Sequence, residues 1–224
     1  MEKIAERAAR LIIQPPDHPD KPFFFIDTAN PLVYTSGTKH PVYNRIRDMQ
    51  TPPQTRREIV SLTLQKIEKM QKLGFDLQAV APVPDGATWL GNIVAYLLDI
   101  PSIKPRKDIK GHGIPRVFDG AIMGGLNYLL VEDVFSTGGS TIDTAEKIRR
   151  AGGVVTDALS ILNYDWEEAK VNFARADIKP HSLTTISVVL REARKLGLID
   201  PRHEAALEDW QRDPLTWAQR NRIV

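Results

Sequence analysis

Apolar residues repeat at helical spacing across residues 55–73, in the stretch TRREIVSLTLQKIEKMQKL. Ile59, Leu62 and Ile67 fall on one broad face of a helix, and many of the positions between them are polar or charged. Gly74 follows, and glycine is a residue that commonly ends a helix. The pattern predicts an amphipathic helix that ends at Gly74.

After this helix, short apolar runs alternate with helical patterns. The runs are DLQAVAPVP, PSIKPR, LNYLLVEDVF and VVTDALSILNY, and further helical patterns cover Thr88 to Leu98 and Thr141 to Ala151. Such alternation predicts an α/β fold with a central parallel sheet flanked by helices. The pattern makes VVTDALSILNY the final strand.

The segments on either side of this alternation carry different patterns. MEKIAERAARLIIQPP is typical of an amphipathic helix, and NPLVYTSGTKHPVYNRIRD predicts two short extended pieces around a Ser36-Gly37 turn. The sequence also predicts helices at Leu183 to Leu196 and at Pro201 to Asp213. We expect the last residues to form a terminal helix packed around Trp210 and Trp217. We expect one domain over 1–224, with an N-terminal helix and hood at 1–53, a core at 54–165 and a C-terminal helical extension at 166–224.

Composition and charge exclude several classes of protein. Of the 224 residues, 42% are hydrophobic and 26% charged, as in ordinary globular proteins. The absence of cysteine excludes disulfides, thiolate metal sites and cysteine nucleophiles, and it favours a cytoplasmic location. No apolar stretch is long enough to cross a bilayer, and the N-terminal stretch mixes acidic with basic residues, unlike a secretion signal. The formal net charge of +2 gives no reason to expect a nucleic-acid partner, although basic residues crowd together at 104–116.

The strand LNYLLVEDVF contains two adjacent carboxylates, Glu132 and Asp133, and leads into a loop of Ser, Thr and Gly at 136–140. A glycine-rich turn that opens a helix directs backbone N–H groups and the positive end of the helix dipole at a phosphate. Carboxylates repel phosphate, but they bind ribose hydroxyls or Mg²⁺. A sugar phosphate satisfies both halves of this pattern. The alternative is an ordinary helix N-cap that follows a solvated strand end.

The whole pattern of apolar residues, acidic pair, apolar pair and STGGS resembles the signature with which type I phosphoribosyltransferases bind 5-phosphoribosyl 1-pyrophosphate (PRPP). RKDIKGHG, at 106–113, resembles the mobile loop of the orotate phosphoribosyltransferases, which holds the pyrophosphate of PRPP. VYTSGTKHPVYNRIR and APVPDGATWLG resemble the family's N-terminal segment and its pyrophosphate loop. The resemblance is nearly continuous from Tyr34 to about Tyr164, and it implies the type I phosphoribosyltransferase fold, in which a small hood and the C-terminal helices cap a PRPP-binding core.

The resemblance also implies a reaction and a set of site residues. The reaction joins PRPP and orotate to give orotidine 5′-monophosphate and pyrophosphate, a step of pyrimidine biosynthesis. The implied catalytic residues are Lys110, His112 and Asp133. The residues implied to bind PRPP are Arg106, Lys107, Lys110, His112, Glu132, Asp133, Val134, Phe135, Ser136, Thr137, Gly138, Gly139 and Ser140. Those implied to bind orotate are Tyr43, Ser136 and Tyr164, with Ser36 in the same region.

A cofactor and a partner follow from the same resemblance. Mg²⁺ would be held mainly by PRPP, with Glu132 and Asp133 in contact with it through water. In the family the mobile loop crosses to the site of the partner subunit. The resemblance therefore implies a homodimer with shared active sites.

Three positions depart from the family's pattern. Thr35 and Asp85 stand where many members carry Lys, and Tyr164 stands where an Arg that contacts orotate commonly follows the last core strand. Each change removes a positive charge. Two other functions therefore stay open: phosphoribosyl transfer to a different nucleobase, and a PRPP-sensing regulator that binds nucleic acid without chemistry.

The histidines outside the basic loop show no metal-ligand spacing, so surface or core positions are expected for His18, His40, His181 and His203. His40 lies in the segment expected near the base. Its simpler interpretation is a turn residue.

Overall fold

The computed structural model describes residues 3–28, 30–33, 38–106 and 117–223, without the side chains of residues 201 and 202. The helices of this part are α1 Ile4–Ile13, the 3₁₀ helix Ile46–Gln50, α2 Pro53–Lys72, α3 Thr88–Leu98, α4 Gly139–Arg150, α5 Glu167–Arg175, α6 Ile186–Lys195, α7 Pro201–Arg212 and α8 Trp217–Arg220. The strands are β1 Phe24–Ile26, β2 Leu32–Val33, β3 Lys39–His40, β4 Val42–Asn44, β5 Ala79–Pro82, β6 Lys104–Pro105, β7 Phe118–Asp119, β8 Tyr128–Phe135, β9 Asp157–Asn163 and β10 Lys179–Thr185.

The centre of the molecule is a parallel four-stranded sheet. Its strands lie in the spatial order β10-β9-β8-β5, and every neighbouring pair is parallel. Helices α3, α4 and α5 follow β5, β8 and β9 in the chain, as expected for right-handed crossover connections between parallel strands. The predicted α/β fold class is confirmed.

Helix prediction was most accurate around this sheet. Helix α3 coincides with the predicted range Thr88 to Leu98, and α2 matches the predicted helix within two residues at its start. Gly74 has a φ of 96°, a left-handed conformation that costs glycine little, and it follows the end of α2 as expected. The helix α4 begins at Gly139, two residues before the predicted start.

The prediction that VVTDALSILNY is the final strand was wrong. Strand β10 pairs in parallel with β9, and Leu183 to Thr185, predicted as the start of a helix, belong to this strand. Helix α6 begins only at Ile186. The stretch KPHSLTT shows no strand pattern, because it is mostly polar and contains Pro180. Proline is tolerated in an edge strand such as β10 but not in a central strand. Residues 166–224 are thus more than a helical extension, since they complete the sheet.

Both faces of the sheet are covered, which explains why the inner strand β8 and its neighbour β5 read as largely apolar runs. Successive side chains of a strand point to opposite faces. Leu129 and Val131 of β8 belong to a core built with α1, α2, α3 and α6. Tyr128 and Leu130 belong to a second core built with α4 and α5.

The N-terminal segment and the C-terminal helices meet above the carboxyl ends of the strands. Strands β1 and β4 pair antiparallel, as do β2 and β3, and the turn predicted at Ser36-Gly37 lies outside the described residues. Trp210 of α7 and Trp217 of α8 are both buried, and α8 packs next to β3. In the part of the chain that the structure describes, every helix is too short or too polar to span a bilayer.

Candidate active site

A cleft of about 880 Å³ opens beyond the carboxyl end of β8, where ligands bind in open α/β sheets. The N-terminal segment provides one wall and the sheet with its following loops provides the other. The lining residues are Thr38, His40, Tyr43, Asn44, Arg45, Ile46, Arg47, Asp48, Pro84, Glu132, Asp133, Val134, Ser136, Thr137, Ser140, Tyr164, Trp166, Glu168 and Leu215.

Two neighbouring carboxylates form the floor of the cleft. Glu132 and Asp133 are only 4% and 7% exposed. The Glu132 Oε2 atom accepts a hydrogen bond from Ser140 Oγ at 3.0 Å, and its Oε1 atom accepts one from the Asp133 N–H at 3.0 Å. Burial, together with the adjacent Asp133 carboxyl group, raises the pKa of Glu132 well above its usual value. The predicted alternative of a solvated strand end does not describe these buried acids.

Asp133 is held from the opposite wall by Arg47, which follows β4 in the 3₁₀ helix. Arg47 Nε donates to Asp133 Oδ2 at 2.8 Å, and this bond is the main reason that the pKa of Arg47 is raised. Gly86 makes room for the pair, because a Cβ atom there would lie 2.0 Å from Asp133 Oδ2 and 2.8 Å from Arg47 Nε. The peptide between Pro84 and Asp85, just before this glycine, is cis.

The loop at 136–140 turns the chain from β8 into α4. Gly138 has a φ of 82°, and a Cβ atom at this position would lie 2.9 Å from the ring of Phe173. The first bond of the helix joins the Ile142 N–H to the Gly138 carbonyl oxygen at 3.0 Å, so the N–H groups of the residues before Ile142 have no carbonyl of the helix as a partner. Asn172 Nδ2 donates to the Thr137 carbonyl oxygen at 3.0 Å and fixes the loop from α5. This geometry suits an anion such as a phosphate monoester.

Aromatic side chains line the other end of the cleft. The rings of Tyr164 and Trp166 lie 5.2 Å apart, and the ring of His40 stacks on Trp166 at 5.8 Å. Asn44 Nδ2 donates to Tyr164 Oη at 2.9 Å, which ties the N-terminal wall to the residue that follows β9. Flat apolar surface of this kind suits a planar heterocycle.

His40 is a strand residue that is 1% exposed, so its interpretation as a turn residue was wrong. The indole N–H of Trp210 donates to His40 Nδ1 at 3.0 Å. The ring proton is therefore on Nε2, which lies 2.9 Å from Thr38 Oγ1. Burial lowers the pKa of His40, so the ring is neutral at pH 7.

No protein-family model matches the chain. An orotate phosphoribosyltransferase of Porphyromonas gingivalis (strain ATCC BAA-308 / W83) is 32% identical over 188 residues, which cover 84% of this chain and 88% of that protein. This chain belongs to the orotate phosphoribosyltransferase family. Solved structures of other proteins agree on the fold. The orotate phosphoribosyltransferase of Aeropyrum pernix has a TM-score of 0.64 at 24% identity and is matched over 93% of its length by 77% of this chain.

A longer protein, the UMP synthase of Leishmania donovani, has a TM-score of 0.72 at 20% identity. The match covers 89% of this chain but only 40% of that protein. The type I phosphoribosyltransferase fold implied by the sequence is thus confirmed for this member of the orotate phosphoribosyltransferase family.

The structure brings most of the predicted site residues of this orotate phosphoribosyltransferase family member to one cleft. Those that line it are Tyr43, Glu132, Asp133, Val134, Ser136, Thr137, Ser140 and Tyr164. Gly138 and Gly139 form the turn into α4. The ring of Phe135 faces away and packs on Phe173 at 4.9 Å, and Phe135 is fully buried, so it does not line the cleft.

The basic loop is only partly described. Lys107, Lys110 and His112 lie outside the described residues. Arg106 directly follows the strand β6, which pairs with β7, and Arg106 Nε donates to Asp119 Oδ1 at 2.7 Å. The segment 107–116 therefore connects the two strands of a small ribbon. The predicted roles of these four basic residues in binding PRPP stay predictions.

Sequence analysis missed several residues of the cleft, above all Arg47, Asn44, Trp166 and Leu215. A signal for Arg47 was present, since NRIR places two arginines directly after Tyr43 in the segment expected near the base. No local pattern pointed to Leu215, which comes from the turn between α7 and α8.

Proposed function

We propose that the protein transfers the 5-phosphoribosyl group of PRPP to orotate and releases orotidine 5′-monophosphate and pyrophosphate. One observation carries the proposal: a buried acid pair lies between a helix N-terminus suited to a phosphate and an aromatic wall suited to a planar base. The names of the similar proteins support the same reaction.

The reaction breaks the bond between ribose C1 and the pyrophosphate oxygen, and a nitrogen of orotate forms a new bond to C1. Positive charge develops on the ribose ring, and negative charge develops on the leaving group. Glu132 and Asp133 would accept hydrogen bonds from the ribose hydroxyls and stabilise the positive charge. The N–H groups at 136–140 would hold the 5′-phosphate, which is remote from the bond that breaks, so that their binding energy orients the sugar.

Basic residues are required for the leaving group. Lys110 and His112 would neutralise the departing pyrophosphate, and Arg106 and Lys107 would bind it as well. A loop that closes over the cleft would also keep water from the ribosyl cation. We propose that this loop acts on the site of a partner subunit, so that the active unit is a homodimer.

Glu132 and Asp133 are better suited to contact the water shell of Mg²⁺ than to bind the ion directly. Both carboxylates already accept hydrogen bonds, from Ser140, Arg47 and main-chain N–H groups. Magnesium commonly keeps several of its waters and binds substrate phosphates, and when bound here it would supply positive charge to the pyrophosphate. Glu132 and Asp133 would then contact its water shell. A cytoplasmic location and the lack of a nucleic-acid partner stay predictions.

The test is a substrate comparison with purified protein. PRPP and Mg²⁺ are supplied with orotate, uracil, hypoxanthine or adenine, and pyrophosphate release is measured. Of the four bases, we expect only orotate to cause pyrophosphate release, with orotidine 5′-monophosphate as the second product. Release with another base instead would assign a different substrate, and PRPP binding without any turnover would favour a regulator.

A further inference from the structure

Orotate, the substrate under the proposed function, is an anion, and it must bind in a cleft whose floor already carries two carboxyl groups. A carboxylate that leaves water for such a site needs a cation or several hydrogen-bond donors. The aromatic wall supplies neither a charge nor a fork of donors, because His40 is neutral and Tyr164 carries no charge. A cation that pairs with the orotate carboxylate would therefore come from another side chain.

Among the described residues that line the cleft, the cationic side chains are Arg45 and Arg47. Arg45 is already engaged away from the floor. Its Nε donates to Asp48 Oδ2 at 2.6 Å, and its guanidinium lies 5.8 Å from the centroid of the Phe25 ring. Half of the Arg45 side chain is exposed, as expected for a surface ion pair.

Arg47 is placed differently. Its Nε atom faces the buried Asp133, yet 63% of its side chain is exposed. A guanidinium presents five N–H donors in a planar fork, and the bond to Asp133 uses only the Nε–H. The two terminal nitrogens are therefore the donors that remain for a ligand in the cleft. The same guanidinium also lies beside the acid expected to hold the ribose hydroxyls.

We propose that Arg47 binds the carboxylate of orotate through its terminal nitrogens while its Nε–H holds Asp133. This assignment rests on the proposed function and names the residue that makes the site selective for an anionic base. One guanidinium then joins the carboxylate of the base to the carboxylate that holds the sugar. It fixes the angle between the two reactants and compensates for the uncharged Tyr164.

Orotidine 5′-monophosphate and uridine 5′-monophosphate test this contact because they differ only by the carboxylate. Dissociation constants of both are measured by calorimetry for the wild-type protein and for Arg47→Gln, Arg47→Lys and Arg45→Gln. We expect the wild type to prefer orotidine 5′-monophosphate by about tenfold to a hundredfold, as a charge-assisted hydrogen bond predicts. Arg47→Gln should lose this preference and bind the two nucleotides about equally, and because Asp133 also loses its partner, the affinity for both nucleotides should fall.

Arg47→Lys keeps the charge but loses the fork, so it should retain only part of the preference. Arg150→Gln, on the far end of α4, is the matched control and should behave as wild type. The inference is overturned if Arg47→Gln keeps the full preference, or if Arg45→Gln is the variant that loses it. A wild-type protein that neither binds orotidine 5′-monophosphate nor forms it would instead refute the proposed function. Thermal unfolding of each variant separates these outcomes from loss of the fold.

Discussion

Glu132 shows how the requirements of a binding site conflict with stability at the scale of one residue. Its carboxyl group is buried next to a second one, and both features oppose its ionisation. The folded protein therefore binds the Glu132 proton more tightly than the unfolded chain does. This contribution to stability is present below the unfolded pKa and is lost as the pH rises through the raised folded pKa.

Glu132→Gln removes the ionisable group and keeps the shape of the side chain. We expect the melting temperature at pH 7.5 to rise above that of wild type by about 2–4 °C for each kcal/mol recovered. The difference should shrink as the pH falls toward about 4, where the wild-type carboxyl group is also protonated. Phosphoribosyl transfer should fall by about a hundredfold, because the amide nitrogen that replaces a carboxyl oxygen cannot accept a hydrogen bond from a ribose hydroxyl.

Thermal melts across this pH range and a turnover assay check both effects. Glu146→Gln, which alters an exposed carboxylate of α4, is the control and should change neither quantity. A variant that is less stable than wild type at pH 7.5 would contradict the assigned cost of burying Glu132.

At the same scale, prediction from sequence worked for residues that are close in the chain. The acid pair and the loop at 136–140 form one uninterrupted segment, so their neighbourhood in space follows from a strand that leads into a helix. Arg47 reaches Asp133 across 86 positions of the chain, and no periodicity records such a contact. Local pattern therefore predicted that the acid pair and the loop at 136–140 lie together, and it missed the cation opposite them.

At the scale of elements, the C-terminal helices are part of the cleft. Trp210 of α7 donates to His40 of β3, and its ring lies 6.0 Å from Tyr164, edge to face. Leu215 lines the cleft itself. Helix α7 thus joins the N-terminal wall to the end of β9, and it fixes the tautomer of a histidine beside the expected base.

Trp210→Phe keeps most of the apolar volume and removes the N–H that occupies His40 Nδ1. With Nδ1 open to a proton, we expect the pKa of His40 to rise, while burial still holds it below its ordinary value. The KM for orotate should increase several-fold, whereas the KM for PRPP should change little. An NMR titration of the His40 ring and steady-state kinetics measure these quantities.

Trp217→Phe is the matched control, because the indole N–H of Trp217 is buried without a hydrogen-bond acceptor among the described residues. This control should lower stability without moving the His40 titration. Equal His40 pKa values in the two variants would refute the role given to Trp210.

Elements also differ in how well sequence predicts them. Helix α3 was predicted to the residue because its apolar periodicity and its flanking turns agree. Strand β10 was missed because its ladder with β9, rather than its own composition, makes it a strand. Helix α5 was missed as well. It is short, and only Ala169 and Phe173 of its side chains are buried, so its apolar face is too narrow to show a period.

At the scale of the whole molecule, the proposed homodimer makes a quantitative prediction. Lys110→Ala and Asp133→Asn should each abolish turnover as separate preparations. If the basic loop that contains Lys110 acts on the partner's site, a mixed dimer has one site with both defects and one site with neither. Random mixing should then restore about a quarter of wild-type activity.

The mixture is prepared by unfolding and refolding the two variants together, and the turnover of PRPP and orotate is measured. A wild-type sample taken through the same cycle is the control. A mixture as inactive as its two components would show that the loop serves its own subunit.

The loop at 136–140 is the proposed binding site for a sugar phosphate, and the proposed reaction depends on it more than on any other segment. Calorimetric titration with PRPP and Mg²⁺ tests this site most directly. The titration is carried out on wild type, on Gly138→Ala and on Gly124→Ala. Gly124→Ala is the control, because a Cβ atom at this position would meet only one carbonyl oxygen at 3.8 Å. We predict saturable binding to wild type and to Gly124→Ala, and binding at least about tenfold weaker to Gly138→Ala, whose Cβ is incompatible with both the left-handed turn and the Phe173 ring. No binding to wild type, or equal binding to Gly138→Ala, would contradict the assignment of the loop at 136–140 as the phosphate site.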